Sequence, residues 1–452
     1  MRTLQKHTNR APSKSTDELN AMMRDVLARA RAKGATDASV AVNNDRGYSV
    51  DVRMQEVETV AFSEDKGVSV TVYLGTQKGS ASSSDTSPEA LDVMVSAAYD
   101  IAKVSAADPC FGLPDKELMT NQCADLDLFH PWDLLPPEAI EKALQCEKHA
   151  LSLDPRISNS DGVNLSTYTF CHGYATSQGF EQIAHSSRHS ISCSLIAKEG
   201  ELMQRDYDYT TTRLAEHLMP LELLAKSAVE RATSRLGARK IKTQKTPVLF
   251  SSRLSSGLFG SFISAISGSN LYRKNSFLMD SEGTRIFPEG IRIHEQPHLL
   301  QALGSSVFDG EGVPTRNNVL VDDGILCQYV LSSYSARKLG LKTTANSGGV
   351  FNLTIDPTAG DFKEMLRLMG RGLLVTELMG QGVNGLTGDY SRGASGFWVE
   401  HGEIQYPVEE ITIAGNLKDM FRAVSAVGTD INPNSATRCG SVLIEQMTVA
   451  GS

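Results

Sequence analysis

Apolar residues recur at helical spacing at Leu19, Met22, Met23, Val26, Leu27 and Ala30, which predicts an amphipathic helix closed by Gly34. Ser15 stands three residues before Glu18, the spacing of a capping box. The period then drops to two. Residues 38–42, 48–54, 56–62, 68–74 and 79–84 read as strands, with turns expected at Asn43-Asn44-Asp45 and Asp65-Lys66-Gly67. Consecutive strands with short turns predict an antiparallel meander. Ser87, Pro88 and Glu89 then give an N-cap with proline at the first helical position, opening a helix to residue 104.

Residues 105–136 carry Pro109, Pro114, Pro131 and Pro136 and little periodicity, so they read as a wrapping linker. A helix is expected over 137–153, strands around 163–175 and 190–197, a hairpin turn at Lys198-Glu199-Gly200 into 201–212, and a helix over 221–236. Beyond a strand at 247–250 the chain turns glycine-rich. Helices are expected at 254–266 and 361–370, and hairpins turn at Asp322-Asp323-Gly324 and at Glu400-His401-Gly402-Glu403. The first of these joins 319–321 to 325–330, the second 396–399 to 404–408. The pattern predicts an α+β fold in three parts. Residues 1–130 form a helix–antiparallel sheet–helix domain with its linker, 131–245 a mixed region, and 246–452 a β-rich, glycine-rich domain.

The length fits that reading, since 452 residues suffice for several domains with cores of their own. Hydrophobic residues are 40% and charged residues 21%, ordinary globular usage, which excludes disorder as the overall state. A net charge of −9 argues against nucleic acid, and the basic cluster Arg239-Lys240-Ile241-Lys242 is too short for a groove. Seven cysteines at 110, 123, 146, 171, 193, 327 and 439 form no CxxC pair, so reduced thiols in a cytoplasmic protein are expected. Residues 1–14 are polar without an apolar core, and no run of 18 apolar residues occurs, so neither signal peptide nor membrane span is expected.

Four features could carry chemistry. His294-Glu295-Gln296-Pro297-His298 is a literal HExxH, which in zinc proteases sits on a helix. Pro297 opposes that geometry, and the preceding residues alternate like a strand, so the expectation is a strand end followed by a helix from Pro297. His185 and His189, on a strand, would share a face about 13 Å apart, too far to share an ion. Glycines recur from Gly380 to Gly396 without a phosphate-loop framing, and Gly382, Asp389, Tyr390 and Arg392 are candidates to line a substrate cleft. Cys439, before Gly440, is a further substrate-cleft candidate, its thiolate a metal ligand or nucleophile, or else a buried small hydrophobe.

The C-terminal half carries longer signatures: Phe308-Asp309-Gly310-Glu311-Gly312-Val313, Ser332 through Lys342, Gly380 through Ala394, Gly402 through Val408, and Ile411 through Met420. In content and order these closely resemble the TldD/PmbA family of metalloproteases, and within it the PmbA/TldE branch. The resemblance implies a cytosolic subunit that pairs with a TldD-type paralogue and acts on extended or unfolded peptides, in microcin maturation and antitoxin degradation. In the TldD branch a helix after the first C-terminal strand carries HExxxH, and a later Cys-Gly supplies a further metal ligand. Here Phe259, Gly260 and Ser264 stand at the corresponding positions, and Cys439-Gly440 is the counterpart of the Cys-Gly element. The resemblance therefore implies no catalytic residue and no metal in this chain. Zinc or a similar divalent ion would reside in the partner subunit, and a homodimer is conceivable for the isolated chain. Two alternatives stand beside it: a stand-alone metallopeptidase using His294, Glu295 and His298, and a non-enzymatic peptide-binding regulator.

Overall fold

The first amphipathic stretch forms α1 (Thr16–Ala32), which buries Leu19, Met23, Val26 and Ala30. Gly34 closes it with φ near +100°, where a side chain would be strained. The computed structural model describes residues 16–451, so the Ser15 half of the expected capping box lies outside the described residues.

The meander is present, with two turns fewer than expected. β1 (Asp37–Arg53) and β2 (Glu56–Leu74) are single long strands, paired throughout, with Asn44 opposite Lys66 and Asp45 opposite Asp65. The polar residues read as turns are mid-ladder. The backbone bonds of the ladder hold them extended; Asn43, Asp65, Lys66 and Gly67 border a cleft, while Asn44 is buried. The chain reverses at Met54 and Gln55, both at positive φ. There the carboxylate of Glu147 accepts both backbone N–H groups, at 2.9 and 2.7 Å.

β3 (Gln77–Ser83) completes the meander, and Ser87 caps α2 (Pro88–Val104) by accepting from the Ala90 N–H. After the proline-bearing linker come α3 (Pro136–Leu153), β4 (Ile157–Thr176), β5 (Glu181–Glu199), β6 (Leu202–Thr212) and α4 (Leu221–Ser234). All six strands join one sheet in the order β3-β2-β1-β4-β5-β6. One face is apolar. Val40 and Val70 pack with Met23 of α1 and Val95 of α2, while Val50, Leu165 and Cys193 pack with Ala143 of α3 and Ala228 of α4. Alternation sends Phe170, His172 and Tyr174 of β4 to the other face, which borders a cleft.

The C-terminal part opens with β7 (Gln244–Phe250), α5 (Ser252–Ala265) and α6 (Gly268–Tyr272). A small sheet follows, from β8 (Ile293–Glu295), β9 (Val319–Asp322), β10 (Ile325–Leu326) and, after α7 (Ser333–Leu339), β11 (Leu353–Ile355). The strand after the Asp323-Gly324 turn is thus two residues long instead of reaching 330. Nor does a helix start at Pro297. Residues 297–304 turn irregularly, with Gln301 at positive φ and Ser305 Oγ bonded to the Leu299 carbonyl. α8 (Phe362–Met369), β12 (Gly372–Met379), β13 (Asp389–Glu400), β14 (Glu403–Asn416), α9 (Leu417–Arg422), β15 (Val424–Val427) and β16 (Val442–Ala450) complete the chain. The order β14-β13-β12-β7-β16 closes on itself through β14–β16, a five-stranded barrel in which only β7–β12 is parallel. Closure leaves these strands without free edges over the paired stretch. Beside the barrel, Phe259, Phe262, Phe277, Phe287 and Phe421 form an aromatic cluster, with centroids 5.0 to 6.2 Å apart.

Candidate functional site

The HExxH string is divided between a strand and a turn. His294 and Glu295 are successive residues of β8, so their side chains leave opposite faces. His294 Nε2 lies 2.9 Å from Asp356 Oδ1 and His298 Nε2 lies 3.0 Å from Thr315 Oγ1. Glu295 is buried and accepts from Asn318 Nδ2 at 3.0 Å, from Asn346 Nδ2 at 2.9 Å and from the Phe351 N–H at 2.8 Å. Burial raises its pKa, and these donors oppose the rise. A carboxylate so enclosed cannot reach a water held by either histidine. Its role is to tie β8 to the loops around 318 and 346–351.

α5 follows β7 directly. Phe259 is buried on the helix face turned to the aromatic cluster, stacked 6.1 Å from Phe287. Gly260 and Ser264 are exposed, and the Ser264 hydroxyl accepts from Asn270 Nδ2 at 3.1 Å. Cys439 is fully buried, its thiol pushed up to about 12 by burial, with the Ser255 hydroxyl on the first turns of α5 opposing that shift. Its S–H donates to the Gly440 carbonyl at 3.3 Å. Among the described residues, no group of three His, Cys, Asp or Glu side chains stands close enough to share a metal ion. A phenyl ring, a bare backbone, one hydroxyl and a buried protonated thiol are not the donor set of a catalytic zinc, which needs about three ligands and a base.

The glycine-rich stretch is the exposed connection between β12 and β13. Gly382 approaches the opposing backbone so closely that a Cβ there would meet the Ser391 carbonyl oxygen. Ser391 N–H donates to the Gly382 carbonyl at 2.7 Å. Asp389 is exposed and held below the usual carboxylate range by Thr387 Oγ1 at 2.7 Å and Asn416 Nδ2 at 3.1 Å. Tyr390 is buried and its phenol is raised to about 12 by burial. Arg392 has its Nε enclosed without a hydrogen-bond partner. Gly382 thus sits against the Ser391 backbone. Asp389 and Tyr390, successive residues of β13, leave opposite faces, so the exposed Asp389 carboxylate is not gathered with Tyr390 and Arg392. Cys439 lies by the start of α5.

A larger cavity, about 990 Å³, separates the polar face of the six-stranded sheet from the loops at 305–310 and 347–351. Asp309 lines it, buried, accepting the N–H groups of Glu311, Val313 and Ser347 at 2.9, 3.0 and 2.9 Å. Burial lifts its pKa to about 6 against those bonds. His172, held protonated more readily by Asp45, and His185, whose charged form is disfavoured by burial, line the sheet side with Arg188 and Arg213. The sequence pattern gave no notice of this cleft, because its walls come from residues 41 to 351. Phe308, Asp309 and Gly310 had stood out only inside a family signature, and His185 only as one of a pair of histidines.

The whole chain has known relatives. Models of the PmbA/TldA metallopeptidase domain 1, central domain and C-terminal domain match residues 38–102, 129–236 and 243–451. The chain is 50% identical to Metalloprotease PmbA of Escherichia coli O157:H7, over 93% of this chain and 94% of that one. It is 45% identical to a Metalloprotease PmbA homolog of Haemophilus influenzae, over 93% of each. Among solved structures, a candidate modulator of DNA gyrase from Bacteroides thetaiotaomicron superposes with a TM-score of 0.91 at 27% identity, over 97% of this chain and 100% of that one. TldE from Thermococcus kodakarensis shares the fold, with a TM-score of 0.82 at 21% identity, over 95% of this chain and 100% of that one.

Proposed function

This chain belongs to the PmbA/TldA metallopeptidase family, and we propose that it is the PmbA/TldE-like subunit of a cytosolic protease whose catalytic metal resides in a TldD-type paralogue. The observation that carries this reading is α5. Where the resemblance places two histidines and a glutamate, the helix offers Phe259 to the core and Gly260 and Ser264 to the exterior. Phe259 is fixed there by the aromatic cluster, so the position has been given over to packing. The stand-alone alternative is disfavoured by the strand geometry of His294 and Glu295 and by the enclosed carboxylate.

The subunit then contributes shape and binding. It completes the enclosure around the paralogue's site, restricts access and holds extended or unfolded peptides, with microcin-type precursors and unfolded antitoxins as the substrates the family resemblance suggests. A partner surface is in keeping with residues 56–66 of β2. Among the described residues, this stretch pairs on one side only and exposes Val57 and Val60. Purified chain, a TldD-type paralogue and their mixture should be incubated with an unfolded peptide and the products followed by mass spectrometry. Cleavage in the mixture, with none from this chain alone, is expected. Cleavage by this chain alone, abolished by a chelator, would overturn the reading.

A further inference from the structure

The cavity between the six-stranded sheet and the C-terminal loops has one cationic end that the fold leaves without a counter-ion. Arg213 follows β6 and is only 6% exposed. Its Nε donates to the Ala302 carbonyl at 3.1 Å, Nη1 to the Ser187 carbonyl at 3.1 Å and Nη2 to the Leu303 carbonyl at 2.8 Å. A guanidinium has five N–H donors, so two remain after these bonds. Arg188, exposed on β5, borders the same cavity and lies 6.0 Å over the Phe170 ring. The two are close enough that Arg188 helps depress the pKa of Arg213. Among the described residues neither arginine makes an ion pair. Two acids line the cavity, and neither neutralises this end. Asp309 spends its carboxylate on three backbone N–H groups, and Asp65 makes no ion pair among the described residues.

A buried cation with no counter-charge is costly, and a fold that keeps one beside an open cavity gains when an anion enters. Serines and histidines make up much of the remaining wall, and Val42, Phe170, Tyr174, Phe308 and Phe351 give it an apolar, largely aromatic part. The volume is at the upper end of ligand pockets, roughly 300–1,000 Å³. We infer that this cleft is a peptide-binding site in which Arg188 and Arg213 receive a carboxylate while the aromatic wall takes the apolar side chains beside it. The inference deepens the reading given above and rests on it, since it names the peptides the subunit would hold as those presenting a carboxylate next to apolar residues. Arginine presents paired donors that match the two oxygens of that group.

Isothermal titration of the full chain with three N-acetylated hexapeptides of leucine and alanine tests this. One has a free C-terminal carboxylate, one a C-terminal amide, and one a C-terminal amide with glutamate at the penultimate position. The free acid is expected to bind about tenfold or more tighter than the neutral amide, a charge-assisted gain that high salt erodes. If the glutamate amide matches the free acid, the site takes any carboxylate; if it matches the neutral amide, the site reads the chain end. Arg188→Ala, at an exposed position that leaves the fold intact, and Arg213→Gln, checked by circular dichroism, report on the same preference. Its loss in either folded variant supports the site. Equal affinity for all three peptides, no binding of any, or a preference that survives both substitutions overturns it. The same peptides offered to the mixture with the paralogue separate the two ideas. Cleavage without acid preference sinks this inference alone, whereas acid preference without cleavage sinks the protease reading.

Discussion

Asp309 is the residue whose environment makes the firmest demand on stability. Its pKa stands at about 6 in the folded chain against an ordinary 3.8, because burial and neighbouring Glu311 penalise the anion more than three N–H bonds favour it. Between those values the folded state binds more protons than the unfolded one, so stability falls as pH rises. The favourable contribution is fully present below about pH 4 and lost above about 6, a span worth about 3 kcal/mol. Urea unfolding from pH 4 to 7 is expected to show that decline in the native chain and a flatter profile in Asp309→Asn. Parallel profiles would mean that the carboxyl is ionised throughout. Cysteines give a second test. Cys327 is exposed, whereas Cys439 is buried with a thiol raised to about 12. A thiolate reagent at pH 8 should modify Cys327 in the native chain and reach Cys439 only after unfolding, as peptide mapping would show. Rapid native labelling of Cys439 would contradict its placement.

α5 is the element in which packing and chemistry are most sharply opposed. Truncating Phe259 to alanine removes a ring from the aromatic cluster and should cost about 3–5 kcal/mol in urea unfolding. Gly260 is different. A Cβ there meets nothing within 4 Å, so Gly260→Ala should stabilise the isolated chain by about 0.5–1 kcal/mol through helix propensity. A destabilised Gly260→Ala chain would show that the helix is packed otherwise. Elements were legible in the sequence where local chemistry decided them. The helix after Ser87 has the expected bounds, and the hairpin at His401-Gly402 turns where expected. They were illegible where tertiary structure overrode local preference. Asn43-Asn44-Asp45 carries strong turn residues yet lies mid-strand, because β2 pairs with all three and β4 takes up the ladder on the other side at Asn43 and again at Arg46. Pro297 looked like a helix start, but Thr315 and the loop at 305 hold that segment in turns.

At the scale of the molecule, the α+β class was readable from the change of period along the chain, and the family from its C-terminal signatures. Barrel closure was not, since β14 meets β16 across connections that carry no pairing signal of their own. The large cleft was equally hidden, because a sheet face and distant loops build it. The HExxH string shows the reverse error a motif invites: its residue types suit zinc, while its backbone places the histidine and glutamate on opposite faces of a strand. In the proposed reading this chain lends structure and binding to a metal carried elsewhere. Zinc content of the purified full-length chain, measured by plasma mass spectrometry after dialysis against a weak chelator, tests it most directly. No stoichiometric metal is expected, and the same trace content in His294→Ala and Cys439→Ala. One tightly held zinc per chain, lost in either variant, would contradict it.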